Sequence, residues 1–244
     1  MTYSLIAKDP DTGAIGIAVA SRFFACGSLV PNVGPDAAFA TQAFVNPLWG
    51  VEGLARLQAG EGAQAVLDDL ASRDRGQRQR QAHAMDRDGR VAAHTGEDCV
   101  DWAGHLTGEG FSVAGNMLAG APVIEETARA YAERADLEFP DRMLAAMQAG
   151  EDAGGDKRGR QAAGLLIHRG EAYPWLDLRV DDDADPLAEL RRLLSVARER
   201  YIFVAEIMPT AKNFSGTPDR SDIDRRIAEA DAARTASASR ASDA

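Results

Sequence analysis

Little in this sequence offers a covalent or metallic staple. Cys26 and Cys99 are its two cysteines and lie far apart, so neither a disulfide framework nor a cysteine zinc site is indicated. Aromatic residues make up 6% of the chain, and lysine is confined to Lys8, Lys157 and Lys212. Basic residues number 27 against 38 acidic ones, and a net charge of -11 with pI near 4.9 disfavours nucleic acid or anionic membrane as the main partner. No apolar run approaches the length of a membrane span. MTYSLIAKDP carries charge where the apolar core of a secretion signal would run, so a cytoplasmic location is expected. No repeat of fixed period is evident, which disfavours a solenoid. His83, His94, His105 and His168 are scattered, and Asp181 to Asp183 with Asp185 lack the spacing of a calcium loop; no metal or cofactor is implied.

What is present is enough chain, 244 residues, to bury a real core. Tyr3 to Lys8 is a β-forming run, Asp9 to Gly13 is turn chemistry, and Ile15 to Ser21 alternates large apolar residues with small ones. With Pro10 to Gly13 as the loop, Asp9 pairs with Ala14, and counting outward sets Thr2 opposite Ser21, beside Arg22. Initiator methionine is usually trimmed ahead of a residue as small as threonine. Trimming gives Thr2 a free α-amine, of ordinary pKa about 7.7 to 8.0, next to its own hydroxyl. Such an amine can take the hydroxyl proton while the oxygen attacks a carbonyl. The competing reading is a threonine that merely starts a strand.

Further along, Ser28 to Val33 is a short apolar segment, and Ala37 to Ala43 reads as a strand. Asn46, Pro47 and Gly50 mark a loop, followed by helical patches at Leu54 with Leu57 and from Ala63 to Leu70. Gln79 to Met85 and Val91 to His94 flank DRDG as a second hairpin, residues 97 to 110 read as a loop, and Phe111 to Ala114 as a strand. Pro122, with Glu125 and Glu126, opens a helix striped by Val123, Ile124, Thr127, Ala128 and Tyr131; a shorter one surrounds Met143 to Met147. The glycine-rich, cationic AGGDKRGRQAAG leads into a strand at Leu165 to His168, with another at Trp175 to Val180. Asp185 and Pro186 open a helix whose Leu187, Leu190, Leu194, Ala197, Tyr201 and Val204 keep helical spacing. Residues 215 to 244 form a polar tail, expected to be disordered, in which Ile223 and Ile227 permit a helical turn or two. The expected organisation is a domain over 1–214 and that tail. Blocks of strands and helices, rather than strict alternation, suit an α+β fold with two antiparallel sheets packed together and helix layers outside, a four-layer αββα sandwich.

Several residues near these strand ends are candidates for chemistry. Arg22 could lower the pKa of the Thr2 amine or hold a substrate carboxylate, or it could be a surface ion-pair residue. Ser21 would line the substrate side. Thr41, Gln42 and Asn46 surround a strand end and offer donors to an oxyanion, or cap a loop. Asn116 offers a similar donor or fixes a turn. His94 offers proton transfer or a backbone hydrogen bond at a strand end. Two glycines followed by Asp156, Lys157, Arg158, Arg160 and Gln161 offer a cradle for an anionic group, without the spacing of a Walker loop; the alternative is a solvated turn.

Thr2, the glycine-bearing hairpin and Ser21-Arg22 resemble the start of proteasome-type N-terminal-nucleophile (Ntn) hydrolases. The blocks SRFFACGSLVP, ATQAFVNPLWG, AAHTGEDCVDWAGH, GNMLAG, AGGDKRGRQAAGLL and DLRVDDDADPLAELRRLL, in that order, resemble the bacterial DUF1028 family, of unknown function and placed in the Ntn-hydrolase superfamily. The resemblance implies the αββα fold and amide hydrolysis. It also exposes departures: proteasome-type sites carry an aspartate before Ser-Arg, where Ala20 stands, and a lysine on a following strand. Lys8 lies six residues along the strand from Thr2, about 20 Å away. The expected function is an amidohydrolase acting on a small anionic amide, with Thr2 as nucleophile and base and no cofactor; the alternative is an inactive small-molecule binding or scaffold protein. The stripe from Leu187 to Val204, with Ile207 and Met208, leads to the expectation of a homodimer or higher homo-oligomer.

Overall fold

In the computed structural model, which describes residues 2–242 and side chains through residue 235, the chain opens with β1 (Thr2–Lys8) and β2 (Ile15–Ser21). Their register pairs Tyr3 with Ala20 and Lys8 with Ile15, and the Asp9 N–H donates to the Ala14 carbonyl at 2.7 Å. This is the pairing that the loop chemistry predicts: Gly13 supplies the left-handed residue at φ 71°, and the Asp9 carboxylate accepts from the Thr12 hydroxyl. Next come α1 (Cys26–Leu29), β3 (Pro31–Val33), β4 (Ala38–Ala43), α2 (Pro47–Gln58) and α3 (Ala63–Arg73). Four strands follow, β5 (Arg80–Met85), β6 (Val91–Thr95), β7 (Gly104–Gly108) and β8 (Phe111–Asn116), then α4 (Pro122–Glu133) and α5 (Phe139–Asp152). The chain closes with β9 (Ala162–His168), β10 (Leu176–Val180), α6 (Pro186–Ala197), α7 (Tyr201–Ala205) and α8 (Ser221–Ser242).

The strands make two antiparallel sheets, one of six in the order β10-β9-β2-β1-β8-β7 and one of four in the order β3-β4-β5-β6. One face of each sheet is turned to the other. Ile6, Ile15, Ile17 and Val19 of the larger sheet pack with Ala38, Ala40 and Met85 of the smaller. On the other face of the smaller sheet, Phe39, Ala82 and Ala84 meet Trp49 and Leu57 of α2 and Val66, Leu67 and Leu70 of α3. Gly53 makes that approach possible, because a Cβ there would stand 2.5 Å from the Phe39 ring. On the other face of the larger sheet lie α4 and α5, with the Tyr3 hydroxyl donating to the Met147 carbonyl at 3.0 Å.

The chain divides into an N-terminal unit through Arg191 and a C-terminal unit from Arg192. Within the second unit, Arg226 pairs with Glu206 at 2.7 Å and stacks on Phe203. The polar tail expected from composition contains α8, where Ala-rich sequence and the Arg225–Glu229 pair at spacing four support a helix, and Ile223 and Ile227 are buried. Other elements also depart from expectation. Asn46-Pro47 is the cap and first turn of α2 rather than a loop, with Leu48 N–H donating to Asn46 Oδ1 at 3.1 Å. Residues 97–110 contain β7, a half-exposed edge strand whose sequence has no apolar alternation and which exists through pairing with β8. The Ser28 to Val33 segment splits between α1 and β3. The stripe expected to run to Val204 is divided by a turn at residues 198–200, between α6 and α7. No described helix is long and apolar enough to cross a membrane.

Three described non-glycine residues adopt the left-handed conformation: Ala25 at φ 54°, Ala43 at 66° and Met117 at 58°. Ala43 is the last residue of β4, Met117 directly follows β8, and Ala25 lies four residues beyond β2. The left-handed region costs a non-glycine residue roughly 1–2 kcal/mol, partly offset by the greater flexibility of glycine in the unfolded chain. Ala25→Gly and Ala43→Gly should therefore each raise unfolding free energy by about 0.5 kcal/mol in urea titration; a loss of stability in both would show that these conformations carry no strain.

Candidate functional site

One row of residues crosses the larger sheet at the start of β1. Ala162 opens β9 and pairs with Ser21, the last residue of β2; Thr2 opens β1 and pairs with Asn116, the last residue of β8. The hairpin register puts Thr2 beside Ser21, and their hydroxyl oxygens are 3.1 Å apart. Chain connectivity brings the rest. Arg22 follows β2, Met117 follows β8, and the cationic loop ending at Gln161 runs directly into β9.

That loop is anchored by a buried carboxylate. Asp156 accepts the N–H groups of Arg22 and Arg158, both at 2.8 Å, and lies 3.2 Å from the Arg158 guanidinium. Arg22 is exposed, and its guanidinium donates to the Arg158 carbonyl. Lys157 donates to the Asp101 carbonyl at 2.7 Å, and Arg160 bridges Glu151 at 2.7 Å and Asp185 at 3.1 Å. Gln161 donates to Asp182 at 3.0 Å. The loop is therefore less an open cationic cradle than a set of hydrogen-bonded side chains. A surface cavity of about 340 Å³ lies against it, with Arg22, Arg160 and Gln161 on its wall together with Asp182 and Asp183. A void of about 10 Å³, room for a single water, lies between Ser21, Tyr3, Glu151, Asp156 and Arg160.

Behind Thr2 lies a polar layer between the sheets. The Gln81 amide nitrogen is directed at the carbonyls of Gly115 at 2.8 Å and Gly104 at 3.1 Å, and at the Thr95 hydroxyl at 2.9 Å. Carbonyls only accept, so the orientation of Gln81 is settled, and its oxygen faces the amide nitrogens of Asn116 and Gln42, both at 2.9 Å. Asn116 also donates to the Thr2 carbonyl at 3.4 Å, and Gln42 to the Ala114 carbonyl at 3.2 Å. The Gln42 oxygen is thus an acceptor and takes the Ser4 hydroxyl hydrogen at 2.7 Å. Ser4 must then accept from His83 Nε2 at 2.8 Å, which leaves His83 Nδ1 to accept from Ser112 at 3.0 Å. Every direction in this chain follows from the backbone carbonyls at its end.

Of the candidate residues, the fold gathers Thr2, Ser21, Arg22, Asn116, Gln42 and Asp156 at one end of the facing sheets. Thr41, Asn46 and His94 do not join them. Strand alternation turns Thr41 to the helix side, where its hydroxyl donates to the Asn46 carbonyl at 3.3 Å. Asn46 caps α2 and donates to Asp74 at 3.0 Å. His94 pairs with Ala82, shares its face, contacts Trp49 and hydrogen-bonds the Gln77 carbonyl at 3.0 Å. Lys157 and Arg160 are held by the partners above. The amide hydrogens of Asn116 and Gln42 are likewise engaged, so both side chains position the site in this arrangement. Ser4, Gln81, His83, Thr95 and Ser112 complete the layer and were not anticipated; the one trace of them was Gln81 and His83 alternating with Ala82 and Ala84. Among the described residues, no group of three His, Cys, Asp or Glu side chains could hold a metal ion.

The family model described as "Family of unknown function (DUF1028)" matches residues 2–190. Among solved structures, the crystal structure of protein SPO2555 from Silicibacter pomeroyi, described with the same family model, is similar at 32% identity and TM-score 0.83, over 89% of this chain and 96% of that one. Comparison with curated proteins returned no match.

Burial, with a smaller push from the His105 charge, holds His83 down at about pKa 3. The folded value lies below the unfolded one, so the stability tied to neutral His83 is complete above about pH 6.5 and is lost as pH falls toward 3. Between pH 7 and 5 this residue alone should remove about 2 kcal/mol of unfolding free energy. Urea titrations of the wild type and His83→Gln at both pH values check it; identical pH dependence in the two proteins would refute it.

Proposed function

The chain belongs to the DUF1028 family, of unknown function, and from that premise we propose that it is an Ntn hydrolase of the four-layer αββα type, cleaving a small amide that carries an anionic group. One observation carries the reading. The hydroxyl of Thr2, at the first position of a central strand, lies 3.1 Å from the Ser21 hydroxyl, with Asn116 donating to the Thr2 carbonyl. Helices over the outer faces of two facing sheets support the fold assignment, and the three left-handed residues at or just beyond strand ends support a functional site there.

Removal of Met1 frees the Thr2 amine as a base poised near neutrality. The amine takes the hydroxyl proton, Thr2 Oγ1 adds to the substrate carbonyl, and the same proton passes to the leaving amine as the C–N bond breaks. The product is an ester on Thr2; water, deprotonated by the amine, then releases the acid and restores the hydroxyl. Ser21 orients Thr2 Oγ1. The Arg22 and Arg160 side of the neighbouring cavity fits a substrate carboxylate, opposite Asp182 and Asp183.

A second reading has its own observations. Ala20 stands buried where proteasome-type sites carry aspartate, and Lys8, at the far end of β1, donates to the Arg87 carbonyl at 3.2 Å. On that reading the same cavity binds a small molecule without turnover.

Mass spectrometry of the purified protein should find Met1 removed, and Thr2→Ala should lower turnover across a panel of small anionic amides by about 10³-fold or more. Retained Met1 with full turnover in both proteins would reject the mechanism. Ligand-induced thermal stabilisation without turnover would favour the binding protein.

A further inference from the structure

The nucleophile proposed above sits on a strand start, the part of a strand most prone to fray. What holds it is a side chain from the other sheet. Gln81 is fully buried on β5, and its oxygen is shared by Asn116 and Gln42 while its nitrogen faces two carbonyls of the larger sheet and the Thr95 hydroxyl. With the Gln81 oxygen as acceptor, Asn116 must present its nitrogen, and that nitrogen also faces the Thr2 carbonyl at 3.4 Å. Without Gln81, Asn116 has no acceptor from the second sheet to keep it there.

We propose that Gln81 is a positioning residue for Thr2: held by the Gly104 and Gly115 carbonyls, it orients the Asn116 amide onto the Thr2 carbonyl and so fixes the strand start that bears the nucleophile. This rests on the Ntn reading of Thr2. The role requires donors and an acceptor at that reach. Leucine supplies neither, and asparagine is a methylene short. Glutamate keeps the acceptor and, only while protonated, one donor.

Periodate supplies a readout that needs no substrate. It cleaves the Cα–Cβ bond of an N-terminal threonine, leaving a glyoxylyl group and releasing acetaldehyde and ammonia as periodate is reduced to iodate. Thr2 is only 7% exposed, so the rate follows how often the strand start opens. Gln81→Leu should speed oxidation by about tenfold, the weight of one buried hydrogen bond. Leu67→Ala, in the core between α3 and the smaller sheet, is the control for lost stability and should leave the rate near wild type. Burial raises the pKa of the carboxyl that Gln81→Glu introduces, so this variant should match wild type at about pH 5 and approach Gln81→Leu at about pH 8, each compared at equal pH. It also decides the matter if Gln81→Leu does not fold. No acceleration in Gln81→Leu, equal acceleration in Leu67→Ala, or a rate ratio independent of pH in Gln81→Glu would overturn the assignment. If wild type retains Met1, the Ntn reading falls separately. The Asn116 side-chain amide resonances then judge Gln81: a shift in Gln81→Leu, or in Gln81→Glu between the two pH values, keeps its hold on Asn116, and unchanged resonances overturn it.

Discussion

A side-chain amide buried between two sheets has to satisfy its donors and its acceptor with no water at hand, and each group left unpaired costs about 1–3 kcal/mol. Gln81 meets this condition with partners from both sheets: Gln42 and Thr95 beside it, and Gly104, Gly115 and Asn116 across the gap. A slip of β5 by one residue would put Ala82 into that gap and leave the carbonyls facing a methyl group. The polar layer therefore sets how the sheets face each other at the Thr2 end, while the apolar cluster of Ile6, Ile17, Val19, Ala40 and Met85 holds the rest of the interface.

From this constraint the site follows by connectivity. Four strands of the larger sheet end or begin in the row Ala162, Ser21, Thr2 and Asn116, so whatever lies just beyond them in sequence is delivered to one place. Arg22 and the Asp156 loop arrive that way, and Asp156 ties them together through main-chain N–H groups. Arg158 and Arg160 are paired with carboxylates, whereas Arg22 and Lys157 donate to main-chain carbonyls, so charge pairing around the loop is uneven.

The neutral histidine at the far end of the layer belongs to the same logic. His83 is fully buried, and its two nitrogens are matched to Ser4 and Ser112 in opposite senses. A protonated ring would have two donors and no acceptor, with Ser112 left facing one of them. Its chemistry is structural for that reason. His94, half-buried near the end of β6, takes the second of the two roles that the sequence offered, a hydrogen bond to backbone, on the helix side.

Much of the fold was legible because it is local. The β1–β2 register, and with it the Thr2–Ser21 contact, follows from loop length and from a side-chain period of two. The α4 helix and its five buried stripe residues follow from a proline, two glutamates and spacing of three to four. By contrast, β7 was not legible, since an edge strand with one large apolar residue is made by its neighbour. Alternation in Arg80 to Met85 says that two faces differ, but not which face is covered; here both are. The sequence by itself determined the β1–β2 register, and with it the placing of Thr2 beside Ser21 and Arg22, whereas the 156–161 loop reaches them only through the pairing of β9 with β2. Only tertiary structure decided that Gln81, Gln42 and His83 would reach across to Asn116 and Ser4, because those hydrogen bonds join residues as much as 79 positions apart and exist only once two sheets have closed on each other.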